Sequence, residues 1–381
     1  MSIYMDNAAT TACLPEVAER MKEILCEDYG NPSSAHHLGV VAEGHVRKAK
    51  ESLAGLMRCN PGEICFTSGG TESDNLALLG AARANRRRGT HIISTQIEHP
   101  AVYRTLETLS AEGFDLTILP VDREGIVRMD MLEQAVSEDT ILVSVMHTNN
   151  EVGSRQPIEA IGGLLKRKYP KVLFHVDAVQ AFGKEAIRPK EAGIDLLSVS
   201  AHKFHGPKGV GMLYISEQAK LLPMIYGGGQ QSGLRSGTEN VPGIAGMALA
   251  AELALAEAPK EWERVSKLRS LFAEGLEKLE NVQINGGDTS PYVLSASFGG
   301  VRAEVLLHAL EEKEIFVSAG SACATHKPEP SRTLQAMGLS KEMLEGTLRF
   351  SFSRFTTEEE VRETLSALEE LLPELRRFSR R

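Results

Sequence analysis

A chain of 381 residues with 42% apolar content is long enough for two domains with sizeable cores. Its formal net charge of −9 excludes a general affinity for nucleic acid or acidic membranes. No run of about 18 uninterrupted apolar residues is present. The start, MSIYMDNAATT, has neither the basic nor the apolar region of a secretion signal, so a cytoplasmic protein that touches no membrane is expected.

In chain order, strands are predicted at 63-EICFTS-68, 91-HIIST-95, 116-LTILPV-121, 141-ILVSVMH-147, 172-VLFHVD-177, 195-DLLSVS-200 and 210-VGMLYI-215. Helical periodicity fills most of the gaps, as in 71-TESDNLALLGAARANRRR-88 and 157-PIEAIGGLLKRK-168. Short strands alternating with amphipathic helices build βαβ units, so the fold class is α/β with a mainly parallel sheet. The gap 201–209 is too short for a crossover helix, and the seventh strand is expected to run antiparallel.

Beyond about residue 241 the pattern changes. Two long helices are predicted at 242–257 and 260–280, then 292-YVLSASFG-299, a helix over 302–313, a strand at 347-TLRFSFS-353 and a closing helix from 357. That last helix opens with the capping-box spacing Thr357-x-x-Glu360. These elements predict a smaller α+β domain, with 14–258 forming the large domain and 1–13 plus 259–381 the small one.

Ligands of open α/β sheets bind beyond the carboxyl ends of the strands. Gly69, Gly70 and Thr71 end the first strand and open a helix, offering backbone N–H groups to an anion; the same pattern also makes an ordinary turn. Glu72 and Asp74 in that first turn must point away from any phosphate. Glu98 and His99 follow the second strand, 147-HTNNEVG-153 the fourth, Asp177 and Gln180 the fifth, and Ser200, His202 and Lys203 the sixth. A carboxylate and a lysine at neighbouring strand ends fit pyridoxal phosphate, and they fit an Asp–Lys salt bridge equally well. The histidines at 99, 147, 175, 202 and 205 show no metal-binding spacing, so no metal site is expected.

Five cysteines occur, at 13, 26, 59, 65 and 323, an odd number without CxxC spacing. Four are read as small buried apolar residues. Cys323 differs, because the small and polar residues of 318-SAGSACATHKPEP-330 describe a loop.

The segments YMDNAATT, NPSSAHHLG, FTSGGTESDNLA, EHPAV, HTNNEVGSRQPI, HVDAVQAFG, SVSAHKFHGPKGVG, RSGTENVPG, SAGSACAT and RFSFSRFTTEEE together resemble the cysteine desulfurases. The resemblance runs from residue 3 to about 360 and implies the pyridoxal-phosphate-dependent aminotransferase fold (fold type I). It implies that Lys203 carries the cofactor covalently, that Asp177 partners the pyridine nitrogen and Gln180 the ring oxygen, and that His99 stacks on the ring and moves protons. Gly70, Thr71, Ser200 and His202 match phosphate contacts. Thr238 matches a phosphate contact given by the other subunit of a homodimer. Asn150 and Arg349 match the groups that hold the carboxylate of L-cysteine, and Cys323 the nucleophile that takes its sulfur as a persulfide. The spacing from Cys323 to Ser331 resembles the long-loop group, which passes sulfur to acceptor proteins, either iron–sulfur scaffolds or tRNA-thiolating enzymes.

Two positions depart from the family pattern. Gln231-Ser232 stand where glutamate-arginine is usual, and Ser353 where glycine is usual. An aminotransferase of the same fold would not need Cys323, a selenocysteine lyase would depend on it less, and an inactive homologue would be expected to lack Lys203 or Asp177.

Overall fold

The computed structural model of the chain describes residues 2–287, 289–319 and 330–379. After a two-residue strand β1 (Ile3–Tyr4), seven strands build the central sheet. They are β2 (Ile64–Thr67), β3 (His91–Thr95), β4 (Asp115–Leu119), β5 (Thr140–Ser144), β6 (Leu173–Asp177), β7 (Leu196–Ser200) and β8 (Gly211–Ile215), in the spatial order β2-β8-β7-β6-β5-β3-β4. Only β8 runs antiparallel to its neighbours, as the short gap before it requires.

All five residues of β5, of β6 and of β7 are buried, because helices cover both faces of a parallel sheet. Successive side chains alternate between two cores. Ile93, Phe174, Leu197 and Tyr214 pack against the helices Pro15–Cys26, His37–Met57 and Ile158–Lys168. Ile92, Leu173, Leu196 and Leu213 pack against Gly70–Asn85 and Pro100–Ala111. Chain order reverses where β3 and β5 lie side by side, which opens a crevice at their carboxyl ends.

A third core is built on the antiparallel strands β9 (Val282–Asn285), β10 (Val293–Phe298) and, after the short β11 (Ile315–Phe316), β12 (Thr347–Ser351). Phe272, Phe298, Phe350 and Phe352 cross edge to face at its centre. β1 pairs with β11, so the chain begins in this smaller core and then runs across to the large one.

The sequence predicts two helices separated at Pro259; the structure has one, Val241–Leu276, with Pro259 inside it. A proline within a helix costs about 3 kcal/mol through its missing N–H and its ring clash. Here both halves are anchored by burial, Ile244, Met247 and Ala251 in the large core and Val265, Leu268 and Phe272 in the small one. This helix is long and apolar enough to cross a membrane by length and composition alone, yet half of its most apolar stretch is buried inside the protein. The cysteine reading also needs correction. Cys65 is buried and Cys59 intermediate, but Cys13 and Cys26 are exposed. Cys26 ends its helix on the outer side, and at 13–14 it is Leu14 that enters the core.

Candidate active site

A cleft at the sheet's carboxyl end is lined by Thr10, Ser68, Gly69, Gly70, Thr71, Ser200, His202 and Lys208. Gly69 has φ 155° and ψ −175°, a region essentially reserved for glycine. A Cβ on Gly70 would meet Val179 Cγ2 at 2.7 Å, so only glycine lets the helix start approach the wall of the cleft. The first N–H groups of the helix Gly70–Asn85 have no intrahelical partner and face an anion favourably. Contrary to expectation Glu72 also lines this cleft, its carboxylate occupied in accepting from Ser68 N–H at 2.7 Å and in pairing with Arg235 at 2.8 Å. Asp74 points inward and is buried. The remaining lining is rich in hydrogen-bond donors, which fits a phosphate group. Thr10 and Lys208 are members of this lining that no strand-end pattern identifies.

Lys203 closes a short turn, Ala201–Lys203, directly after β7. Its Nζ donates to the carbonyls of Ala8 at 2.5 Å and Ala9 at 2.8 Å. The N-terminal segment is thus strapped across the lysine turn. Thr11 N–H donates to His202 O at 2.9 Å, and Thr11 Oγ1 accepts from His205 N–H at 2.8 Å. Gln180 Nε2 also donates to Ala8 O, at 2.9 Å, while Gln180 Oε1 accepts from Lys184 Nζ at 3.2 Å. A lysine can only donate, so it fixes the amide with Nε2 toward Ala8. His202 Nδ1 lies 3.1 Å from Thr10 Oγ1, and burial beside Lys203 and Lys208 pushes its pKa down to about 4, so the ring is a neutral partner.

Asp177 ends β6, the neighbour of β7, and is buried with Oδ1 accepting from Val179 N–H at 2.9 Å. Two further carboxyl groups, Asp74 and Glu98, lie buried nearby. Burial pushes the pKa of Asp177 up to about 6, Asp74 to about 7 and Glu98 to about 8. Asp177 is raised the least of the three, helped by its bond to Val179. His175 is neutral, its Nδ1 2.9 Å from Ser144 Oγ and its Nε2 3.0 Å from Ser198 Oγ, with burial pushing it down to about 4. An ionised carboxylate with a neutral wall behind it suits a protonated ring nitrogen. His99 caps the helix Pro100–Ala111, its Nδ1 accepting from Ala101 N–H at 3.1 Å. Burial lowers its pKa, so the neutral ring carries its proton on Nε2.

Glu98 accepts from Thr95 Oγ1 at 2.6 Å and from Met146 N–H at 3.0 Å, while Oε2 has no partner among the described residues. A pKa raised in the folded state gives stability that is full below the unfolded value and lost as pH rises through about 8. Glu98→Gln removes that titration. Between pH 5 and pH 9 the melting temperature of the variant is expected to fall less than that of the wild type, and parallel curves would contradict the assignment.

Arg349, on β12, is buried with Nη1 donating to Asn150 O at 2.9 Å and Nη2 to Asp6 Oδ1 at 2.6 Å. Its Nε has no hydrogen-bond partner among the described residues. A buried guanidinium with an uncommitted edge suits an incoming carboxylate. Asp6 was not singled out by the sequence, since it lies 343 residues from its partner. Ser318 pairs with Arg349 through backbone bonds, and Ser331 Oγ donates to Glu151, the neighbour of Asn150. Cys323 and Gly320 lie outside the described residues.

Thr238 is exposed and is not part of the cleft of its own chain. Gln231 Oε1 accepts from Phe66 N–H on the edge strand β2 at 3.0 Å, and its Nε2 contacts Glu239. The usual glutamate could not donate to Glu239, so the amide has a local reason. Ser353 Oγ accepts from Phe355 N–H at 3.2 Å, closing the turn before Arg354. Among the described residues no group of three potential metal ligands occurs.

The family model described as class-V aminotransferase matches residues 3–364. The chain is 44% identical to a protein of Dictyoglomus turgidum described as cysteine desulfurase IscS, over 99% of this chain and 96% of that one. It is similar to a solved structure described as a NifS-like protein, with a TM-score of 0.93 and 42% identity, over 98% of this chain and 100% of that one. A second, described as SspA in complex with cysteine, has a TM-score of 0.83 and 33% identity, over 93% of this chain and 100% of that one.

Proposed function

The chain belongs to the class-V aminotransferases and, among them, to the cysteine desulfurases, and on that premise we propose that it converts L-cysteine to L-alanine with pyridoxal phosphate, keeping the sulfur on Cys323. The observation that supports this reading is the placement of Lys203 and the buried carboxylate Asp177 at the carboxyl ends of the neighbouring strands β7 and β6. Gly70, Thr71, Ser200 and His202 would hold the phosphate, Asp177 the ring nitrogen, Gln180 the ring oxygen and His99 the ring face. When bound, pyridoxal phosphate withdraws electrons from the bonds around the substrate α-carbon.

The protein groups supply binding and proton transfer. Arg349 and Asn150 hold the substrate carboxylate, and the buried setting keeps water from competing for it. Lys203 Nζ, as a neutral amine, takes and returns the proton at the α-carbon, and His99 Nε2 carries a proton that it can hand on. Cys323, as thiolate, attacks the substrate sulfur. The S–S bond forms as the Cβ–S bond breaks, and the electron pair of the broken bond returns to carbon. A proton there completes the methyl group of alanine, so cysteine and a thiol become alanine and a persulfide. Both described flanks of the segment that carries Cys323 are tied beside Arg349 and Glu151, which supports a role at the carboxylate site.

The sulfur then passes to an acceptor protein, an iron–sulfur scaffold or a tRNA-thiolating enzyme. The working unit is a homodimer in the cytoplasm, in which an exposed Thr238 reaches the partner's phosphate. The test is alanine release from L-cysteine with a thiol reductant. Cys323→Ala is expected to release alanine about tenfold more slowly or worse; equal rates would leave a pyridoxal-phosphate lyase that does not use that thiol.

A further inference from the structure

Lys184 has no part in the chemistry above. It follows Gly183, which has φ 83°, on the loop after β6, and its Nζ sits between Gln180 Oε1 at 3.2 Å and the Tyr292 ring, whose centroid is 5.3 Å away. One cavity is lined by both Lys184 and Lys203, together with His205, Glu261, Tyr292 and Arg354. The two lysines are also linked through Gln180 and the Ala8 carbonyl, which both Gln180 Nε2 and Lys203 Nζ approach.

The charges around Lys184 are mostly cationic. Lys203, Arg349 and Arg354 face it or its cavity, and His205 is kept neutral by burial. Glu185 is the nearby anion, but it pairs with Arg155 at 2.6 Å and has His147 at 3.9 Å. Glu261 is held by Arg264 at 3.0 Å, and burial keeps the Tyr292 hydroxyl protonated. Burial, Lys203 and Arg349 together push the Lys184 ammonium down to about 7. The repulsion acts equally on Lys203.

A lysine condenses with an aldehyde only as the neutral amine, the C=N bond forming as water leaves, and a neighbouring cation is one means of keeping it neutral. On the pyridoxal-phosphate reading above, we propose that Lys184 is a positioning residue for Lys203. Held between Gln180 and Tyr292, its ammonium, charged at and below neutral pH, lowers the proton affinity of the Lys203 nitrogen there, so that this nitrogen makes and releases its bond to carbon without an alkaline medium.

The test is a pH titration of the visible absorbance of the cofactor-loaded protein, whose band reports the proton on the Lys203 nitrogen. Lys184→Met removes the repelling charge and is expected to raise the midpoint by about one unit. Lys184→Arg keeps the charge and a donor for Gln180, and its midpoint is expected at or below that of the wild type. Lys184→Gln, polar but uncharged, is expected to follow the methionine variant and replaces it if that protein folds poorly. An unchanged midpoint in the uncharged variants overturns the proposal while leaving the cofactor reading intact. A wild type with no titrating band overturns the cofactor reading, and the proposal with it.

Discussion

Replacing Lys203 with alanine is expected to abolish covalent attachment of the cofactor and to reduce alanine formation by at least about a thousandfold. Two losses combine in that figure. The covalent anchor disappears, and so does the amine that handles the α-proton; removing a group that serves as both nucleophile and base costs about that much or more. The phosphate cradle at Gly70 and the carboxylate of Asp177 remain, so weak non-covalent binding of the cofactor is expected to persist. The surrounding fold should tolerate the change, since the strap at Ala8 to Leu14 keeps other bonds to the lysine turn, including Thr11 N–H to His202 O at 2.9 Å and Leu14 N–H to His205 O at 3.0 Å. Borohydride reduction followed by peptide mapping checks the assignment. The wild type should yield a labelled Lys203 peptide and the variant no labelled peptide; a label on another lysine in the wild type would move the anchor elsewhere.

Asp177→Asn is expected to leave the cofactor attached and the turnover about a hundredfold lower. Asparagine keeps the shape and can still accept the Val179 N–H bond at 2.9 Å. It cannot hold a proton on a ring nitrogen by charge, and losing a charge-assisted hydrogen bond of about 3 kcal/mol corresponds to about a hundredfold in rate. Asp74 and Glu98 are poor substitutes for it, because burial raises them further, to about 7 and about 8 against about 6 for Asp177, so each holds its own proton more firmly. Absorbance of the bound cofactor and kcat, measured on the same sample, separate the two effects. Normal turnover in this variant would assign the ring-nitrogen role to another group.

The contrast between Asp177 and its two buried neighbours shows where sequence reading stops. Asp177 stands out because it ends an apolar strand one strand away from a lysine. Asp74 and Glu98 sit in a helix turn and beside a histidine, where an exposed acid would look the same. Their burial comes from the packing of the helix Gly70–Asn85 and the strand β5 against β6, a set of contacts spread over more than 100 residues of chain. Lys184 is similar. On paper it is one lysine in a Gly-Lys-Glu turn, and only the approach of Tyr292 from the small core makes it a half-hidden cation beside Lys203.

The seven-stranded sheet, its antiparallel β8 and the polar ends of its strands were set by the sequence alone, because short continuous apolar runs, loop length and the crossover rule are local properties of the chain. The same holds for the positions of the lysine, the carboxylate and the glycine turn of the candidate site at the strand ends. The tertiary structure decided the rest. It laid the N-terminal strap over Lys203, brought Asp6 to Arg349 across 343 residues, and carried one helix through Pro259 by anchoring each half in a different core. These features depend on which distant surfaces meet and how deeply each group is withdrawn from water, and neither quantity is a property of a short stretch of sequence.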